Sequence, residues 1–461
     1  MCQKSPDAVP NPVALKIGIR APFSRGPAAA ALAAVLLAAG LFGCSAFRMP
    51  DRKCAPPNLE YRGTATDTTA VTAQYADPAI FEQLTSNLVP PEEKDKPPRP
   101  GNKRYEILAV SGGGKYGAYP AGVVCGWTCR GTRPKFDIAT GVSTGAYVAV
   151  FGFLGPKYDA ALKRLYTETT TDQILKKYPL RRLPFTRTFA SSDPLRKTIE
   201  EFTTDETVAD LAAAHAEGRH CFIGTTNLDT RRLCVWDVTA IAAGNRPDKR
   251  KLLVDIFLAT ASVPGQFPPV TFDVVVNGQT YTELHVDGGV TSEIFVRLAL
   301  LNVPEEQLRS GKRPLAGSNI HSLIAGKLYA DPDCIKPRIF GSILGTSVGS
   351  LVYAMTQNDL LRINYLCLIT GMKARFTAVP RDFEDDGDAL NFEPKSMAKL
   401  FNAGYKVGQT DEGWRVRAPG TEPDEQSVPR AGLSFTIPDL PPTGQYGGPV
   451  IAKPKKTADN Q

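Results

Sequence analysis

The stretch that most constrains this chain is Gly141-Val142-Ser143-Thr144-Gly145. An apolar segment, Phe136-Asp137-Ile138-Ala139-Thr140, leads into it, and a longer one, Ala146 to Leu154, leads out. The first has the length of a buried strand and the second that of a buried helix. A G-x-S-x-G motif between them predicts a tight strand-to-helix corner, flanked by small residues because the turn has no room for larger ones. A serine on such a corner has an exposed hydroxyl, and N–H groups at the helix start point towards an anion formed beside it. The same five residues also suit an ordinary glycine-rich turn, so their meaning depends on the rest of the chain.

Ahead of the corner, Tyr105–Val110 reads as a strand, followed by Ser111-Gly112-Gly113-Gly114-Lys115-Tyr116-Gly117 and a helix over Ala118–Cys129. Strand, glycine loop, helix, strand, corner, helix is an α/β pattern with a mainly parallel sheet. Further on, a helical stretch covers Asp159–Leu175, and Asp193-Pro194 opens another helix with the aspartate as its cap. Cys221–Leu228 and Arg232–Asp237 read as paired strands, which would let Cys221 and Cys234 bridge across them. A helix over Leu252–Ala261, a proline-rigid loop to Val270 and a strand over Phe272–Val276 precede Leu284-His285-Val286-Asp287-Gly288-Gly289-Val290. A helix is expected from there to about Leu301, then a strand over Ile320–Leu328. Phe340–Met372 is largely apolar, but Gln357, Asn358, Asp359 and Arg362 interrupt it. Ile343, Leu344, Val348, Leu351, Val352 and Met355 recur at helical spacing, which predicts an amphipathic helix, or two, packed on the sheet.

Acyl transfer needs a nucleophile, a base and donors for the tetrahedral oxyanion. Ser143 is the candidate nucleophile, and Gly112, Gly113 and Gly114 are the candidate oxyanion hole. The base is less obvious, because only four histidines are present. His215 and His220 read as solvated, His321 starts a strand, and only His285, alternating with Val286 so as to share a side with Asp287, is kept as a reserve base. Asp287 is preferred. It ends a short strand, two glycines follow it, and desolvation would raise an aspartate from its ordinary value of about 3.9 to where it can take a proton from serine. A rival reading takes Gly112, Gly114 and Gly117 as the G-x-G-x-x-G of a dinucleotide site. Its ribose acid would be Asp137, which lies near the start of its strand rather than at the end.

Neither C-x-x-C nor H-E-x-x-H occurs in the chain, so no metal site is expected. The net charge of +7 falls to +4 without residues 1–43, which hold Lys4, Lys16, Arg20 and Arg25 against Asp7. That mild excess calls for no nucleic acid and leaves an anionic membrane surface open.

The basic residues near the N-terminus precede an uncharged run from Ala28 to Leu41 that ends in Leu41-Phe42-Gly43-Cys44. This is the layout of a secretory signal, too short to span a bilayer comfortably. Its ending resembles the lipobox of bacterial lipoproteins, which implies cleavage before Cys44 and lipidation of that cysteine. Ser45 at the next position implies, by the same resemblance, the outer membrane facing the periplasm. Residues 1–43 are therefore expected to be a lipoprotein signal peptide. Residues 44–103, punctuated by Pro56-Pro57, Pro90-Pro91 and Pro97-Pro98, are expected to be a tether. Residues 411–461, rich in Pro and Gly, are expected to be a disordered tail.

Gly-Gly-Gly-x-x-Gly, then G-x-S-x-G, then Asp-Gly-Gly, each at a strand end, resembles the patatin-like phospholipase family. Leu258–Pro264 with Phe267-Pro268-Pro269, and Phe392-Glu393-Pro394 through Gly404, are similar to further blocks of that family. The resemblance covers residues 104–410 and implies a three-layer α/β/α sandwich with a mainly parallel central sheet. It implies a Ser143–Asp287 dyad, an oxyanion hole at Gly112, Gly113 and Gly114, and supporting glycines at 117, 141, 145, 288 and 289. The implied reaction is hydrolysis of a phospholipid or other lipid ester through an acyl-enzyme, with no metal or cofactor. One position departs from the family: Tyr116 stands where Arg or Lys usually precedes the fourth glycine, with Lys115 one residue earlier. That departure keeps a second reading open, a weakly catalytic lipid-binding envelope protein.

Overall fold

The computed structural model describes residues 104–179, 188–276, 278–296, 315–330, 340–384, 387–416 and 419. The expected signal peptide, Cys44, the tether and nearly all of the tail lie outside the described residues.

In chain order the elements are β1 (Glu106–Val110), α1 (Ala118–Arg130), β2 (Ile138–Val142), α2 (Gly145–Leu154), α3 (Asp159–Glu168), α4 (Thr171–Ile174), α5 (Asp193–Phe202) and α6 (Asp205–Ala216). There follow β3 (His220–Asn227), β4 (Arg232–Asp237), α7 (Val238–Ala243), α8 (Lys249–Thr260), β5 (Val270–Val276), β6 (Gln279–Asp287), β7 (Asn319–Leu323), α9 (Phe340–Thr370), β8 (Lys373–Thr377) and α10 (Pro394–Thr410). The main sheet runs β8-β7-β1-β2-β3-β6-β5, with β4 paired to β3. β8, β7, β1, β2 and β3 are mutually parallel, and β4, β5 and β6 join through antiparallel pairs.

Alternation along the central strands builds both faces. In β1, Leu108 and Val110 enter one apolar core, with α1, α2, α8 and α10. Ile107 and Ala109 enter the other, with Leu360, Ile363 and Leu366 of α9. Both faces of a parallel sheet must be covered, because its strands are apolar on both sides. The result is helices, mainly parallel sheet, helices: the three-layer α/β/α sandwich that the sequence led one to expect.

Several local expectations change. The helix expected over Asp159–Leu175 is broken, because Thr170 caps a new turn in a reciprocal pair with Gln173. Ser192, not Asp193, is the cap of α5. After Asp287 there is one 3-10 turn, Gly288–Val290, and no helix over Thr291–Val296. There Asp359 of α9 accepts from the backbone N–H of Glu293 at 2.9 Å, and Ile294, Phe295 and Val296 turn into the second core. The strand expected to reach Leu328 stops at Leu323. Cys221 and Cys234 are both free: Cys234 stands opposite Thr225, four residues along β3 from Cys221. Ordered backbone passes residue 410, where Arg415 bridges to Phe376 and Trp414 packs on the core.

The largest departure is α9. It is a single helix of 31 residues, and only its second half packs on the sheet. Ile343, Leu344, Val348, Leu351 and Val352, expected to be its buried face, are exposed.

Candidate active site

The corner forms as the motif requires. β2 ends at Val142, α2 begins at Gly145, and Ser143 between them has φ 51, a left-handed value that costs a residue with a Cβ. Close packing holds it there. A Cβ on Gly145 would run into the Ser111 carbonyl, and one on Gly141 would lie 2.7 Å from the Gly145 carbonyl. The Ser143 N–H donates to Thr260 Oγ1 at 2.8 Å, and that hydroxyl donates onward to the Gly224 carbonyl. Tyr166 donates its hydroxyl proton to the Thr144 carbonyl.

Asp287 reaches the corner through β3. On one edge β3 pairs with β4 over Phe222–Asn227. On the other edge, β2 occupies His220–Gly224 and β6 occupies Thr225–Asn227. The two strands therefore meet end to end, with Val142 opposite Gly224 and Asp287 opposite Thr225. A Cβ on Gly288 would collide with the Gly224 carbonyl and Val142, so Asp-Gly-Gly is what lets these ends touch. Asp287 is buried, with its carboxyl beside the Ser143 side chain and its Oδ1 accepting the Gly289 N–H at 2.8 Å. Its own N–H donates to Ser262 O at 2.9 Å. Burial pushes its pKa up to about 6, against the lowering effect of Ser143 and the Gly289 N–H.

The glycine loop lies beside them. Gly113 and Gly114 have φ 151 and 57, and a Cβ on either would strike the Ala325 or the Ala389 carbonyl. The Gly112 N–H donates to Glu293 O at 3.0 Å, which removes it from the expected set of oxyanion donors. Gly113 and Gly114 have no such bond among the described residues. Gly117 packs on Thr144 and Tyr166 too tightly for a side chain. Lys115 is fully buried, its ammonium 5.4 Å from the centre of the Tyr116 ring.

Glu293 escaped the sequence reading. One carboxyl oxygen lies 2.8 Å from where a Cβ on Gly112 would stand, and the other 2.7 Å from a Cβ on Gly289. Both glycines thus make room for a buried carboxyl between the loop and the Asp-Gly-Gly turn. Burial, with Asp287 and Asp359 nearby, pushes the pKa of that carboxyl well above the usual carboxylate range. Thr260 and Ser262 lie within the Leu258–Pro264 block, where no spacing signal distinguishes them from its other residues.

The histidines sit elsewhere. His285 is wholly buried, with Nδ1 2.9 Å from Thr225 Oγ1, Nε2 3.1 Å from Glu283 and Phe272 against its ring. Its partners are thus not Ser143, and it is no reserve base. His220 is buried and paired with Asp237 at 2.9 Å rather than solvated. Ligand atoms of His215, His220 and Asp237 lie within 4.8 Å of one another, but Asp237 already caps α7. His321 pairs with Glu106 at 2.7 Å beside a cavity of about 420 Å³ at the opposite end of the sheet, lined also by Trp127 and Arg375. Asp137 is at that far end too, its Oδ2 accepting the Glu106 N–H at 2.9 Å. It cannot serve a ribose bound at the glycine loop, and the dinucleotide reading falls with it.

Residues 108–300 match the family model described as patatin-like phospholipase. Among solved structures, the chain is similar to VipD from Legionella pneumophila, with 11% identity, a TM-score of 0.30 and coverage of 68% of each chain. No curated protein matches the chain.

Proposed function

We propose that this protein is a lipid acyl hydrolase, a phospholipase A or esterase, in which Ser143 is the nucleophile and Asp287 the base. The observation that supports this reading is the buried Asp287 carboxyl beside the Ser143 side chain at the meeting of β2 and β6. As Ser143 Oγ attacks the ester carbonyl carbon, its proton passes to Asp287 and the carbonyl oxygen becomes an oxyanion. The N–H groups of Gly113 and Gly114, with the start of α2, stabilise that charge. Collapse of the intermediate expels the alcohol, which takes the proton back from Asp287, and leaves an acyl-serine. Water repeats the sequence and releases the fatty acid. The dyad asks for no metal. In this reading the chain is exported, lipidated on Cys44 and held at the periplasmic face of the outer membrane, with residues 44–103 as tether.

The test is release of fatty acid from phospholipid vesicles and hydrolysis of a short p-nitrophenyl ester, with Ser143→Ala and Asp287→Asn alongside. Activity on both substrates that each folded variant loses supports the reading. Lipid binding without turnover would favour the weakly catalytic alternative that Tyr116 suggests.

A further inference from the structure

The sheet and α9 differ in length. A five-residue strand such as β7 spans about 17 Å, whereas the 31 residues of α9 span about 46 Å. The crossover from β7 to β8 fixes where the excess lies. The Thr370 carbonyl accepts the Leu315 N–H, and β8 then starts beside Asn319, so α9 ends at the foot of the strands. Asp359 holds Ser292 and Glu293, which follow the Asp-Gly-Gly turn, so the helix passes the Ser143 site at that level. Thr356 is still buried and Gln357 donates to the Leu328 carbonyl, so the residues before them overhang the active-site end of the sheet by roughly 24 Å.

We infer that this overhang, residues 340–355, is a docking surface for a lipid bilayer, seated in the interfacial zone with the Ser143 corner facing the membrane. The lipid substrate comes from the proposed function, but the docking does not require Ser143 to be a nucleophile. Ile343, Leu344, Val348, Leu351 and Val352 are 39–66% exposed and form one stripe. They present roughly 400 Å² of apolar surface, enough to mark an interaction site and about half of what one partner buries in a standard protein interface. Their charge pattern suits a bilayer. Phe340–Asn358 carries no charged residue, as a segment seated among acyl chains requires, and the nine residues before it balance Asp331 and Asp333 with Lys336 and Arg338. The overhang is apolar without spanning a membrane: no described helix is long and apolar enough to cross one. Leu361, Tyr365 and Leu368 are exposed on the packed half, separated from the stripe by Gln357 and Asn358.

The test uses the full chain with Cys44→Ser, so that no acyl group is attached, and Leu351→Trp as a local probe. Vesicles of phosphatidylcholine and phosphatidylglycerol carry brominated acyl chains. Read as the difference from the Cys44→Ser parent, whose Trp127, Trp236 and Trp414 also emit, the expected result is a blue shift and strong quenching at position 351, with no quenching of a Lys373→Trp probe at the foot of the sheet. Adding Leu344→Glu and Val348→Glu should remove the quenching and weaken vesicle binding about tenfold. Vesicle-bound protein with position 351 unquenched, or with both probes quenched alike, overturns the inference. So does a lipid-free blue shift at 351 that grows with dimer formation: Gly341, Gly345 and Gly349 would suit a second copy. A concentration-independent lipid-free shift, meaning that the chain covers its own helix, overturns it as well. Short-ester hydrolysis by the same preparations separates the two readings. Quenching without hydrolysis sinks the Ser143 reading alone, and hydrolysis without quenching sinks the docking alone.

Discussion

Ser143 and Asp287 are 144 positions apart in the chain and one register step apart along β3: Val142 stands opposite Gly224, and Asp287 opposite Thr225. The serine side chain and the buried carboxyl are neighbours, with no imidazole between them. If this pair performs the hydrolysis, Ser143→Ala and Asp287→Asn should each lower kcat by roughly 10³-fold or more, the scale on which dyad and triad members act. The double variant should be little worse than either single one. Steady-state hydrolysis of a p-nitrophenyl ester, with circular dichroism to establish folding, gives the answer.

The pH dependence should carry the mark of Asp287. Its burial raises the pKa to about 6, and the base works only when ionised, so kcat/KM should rise with pH and level off above that value. A profile already flat from pH 4 upwards would place the proton elsewhere.

His285 gives the sharpest contrast with a histidine-based mechanism. It is locked between Thr225 and Glu283 inside the core. His285→Gln should lower the melting temperature yet leave short-ester turnover within about threefold of wild type at a temperature where both are folded. A general base would instead be worth about 10²-fold or more.

Glu293 should appear in stability. Its folded pKa lies above its unfolded value, so its contribution is fully present below about 4.3 and is lost as pH rises towards the folded value. Asp287 and Asp359, both raised, act in the same direction. Glu293→Gln should therefore make the change in melting temperature from pH 5 to pH 8 less negative, or more positive, than in wild type. An identical slope in the variant would mean that the carboxyl is ionised throughout.

Thr260 connects the corner to β3. Thr260→Val would leave the Ser143 N–H and the Gly224 carbonyl buried without a partner, at a cost of about 1–3 kcal/mol. Chemical denaturation should show that loss, together with reduced kcat from a looser corner. Thr260→Ser should restore both.

What the sequence by itself determined is local. The glycine loop, the G-x-S-x-G corner and the Asp-Gly-Gly turn depend on the sign of φ and on space for a Cβ, and both are written in residue type. The alternation of β1 and the strand–helix succession follow from period and length, which is why the layered sheet was legible. Depth and reach were decided only by the tertiary structure. His285 and Asp287 share a side of β6, as alternation requires, but two residues along a strand is about 6.6 Å, enough to put one in the core and the other at the corner. Gly112 looked like an oxyanion donor until the Glu293 carbonyl came to its N–H from 181 residues away. The apolar repeat of α9 correctly indicated a helix, but not what would cover it, because the length of the sheet beneath is set by five-residue strands elsewhere in the chain.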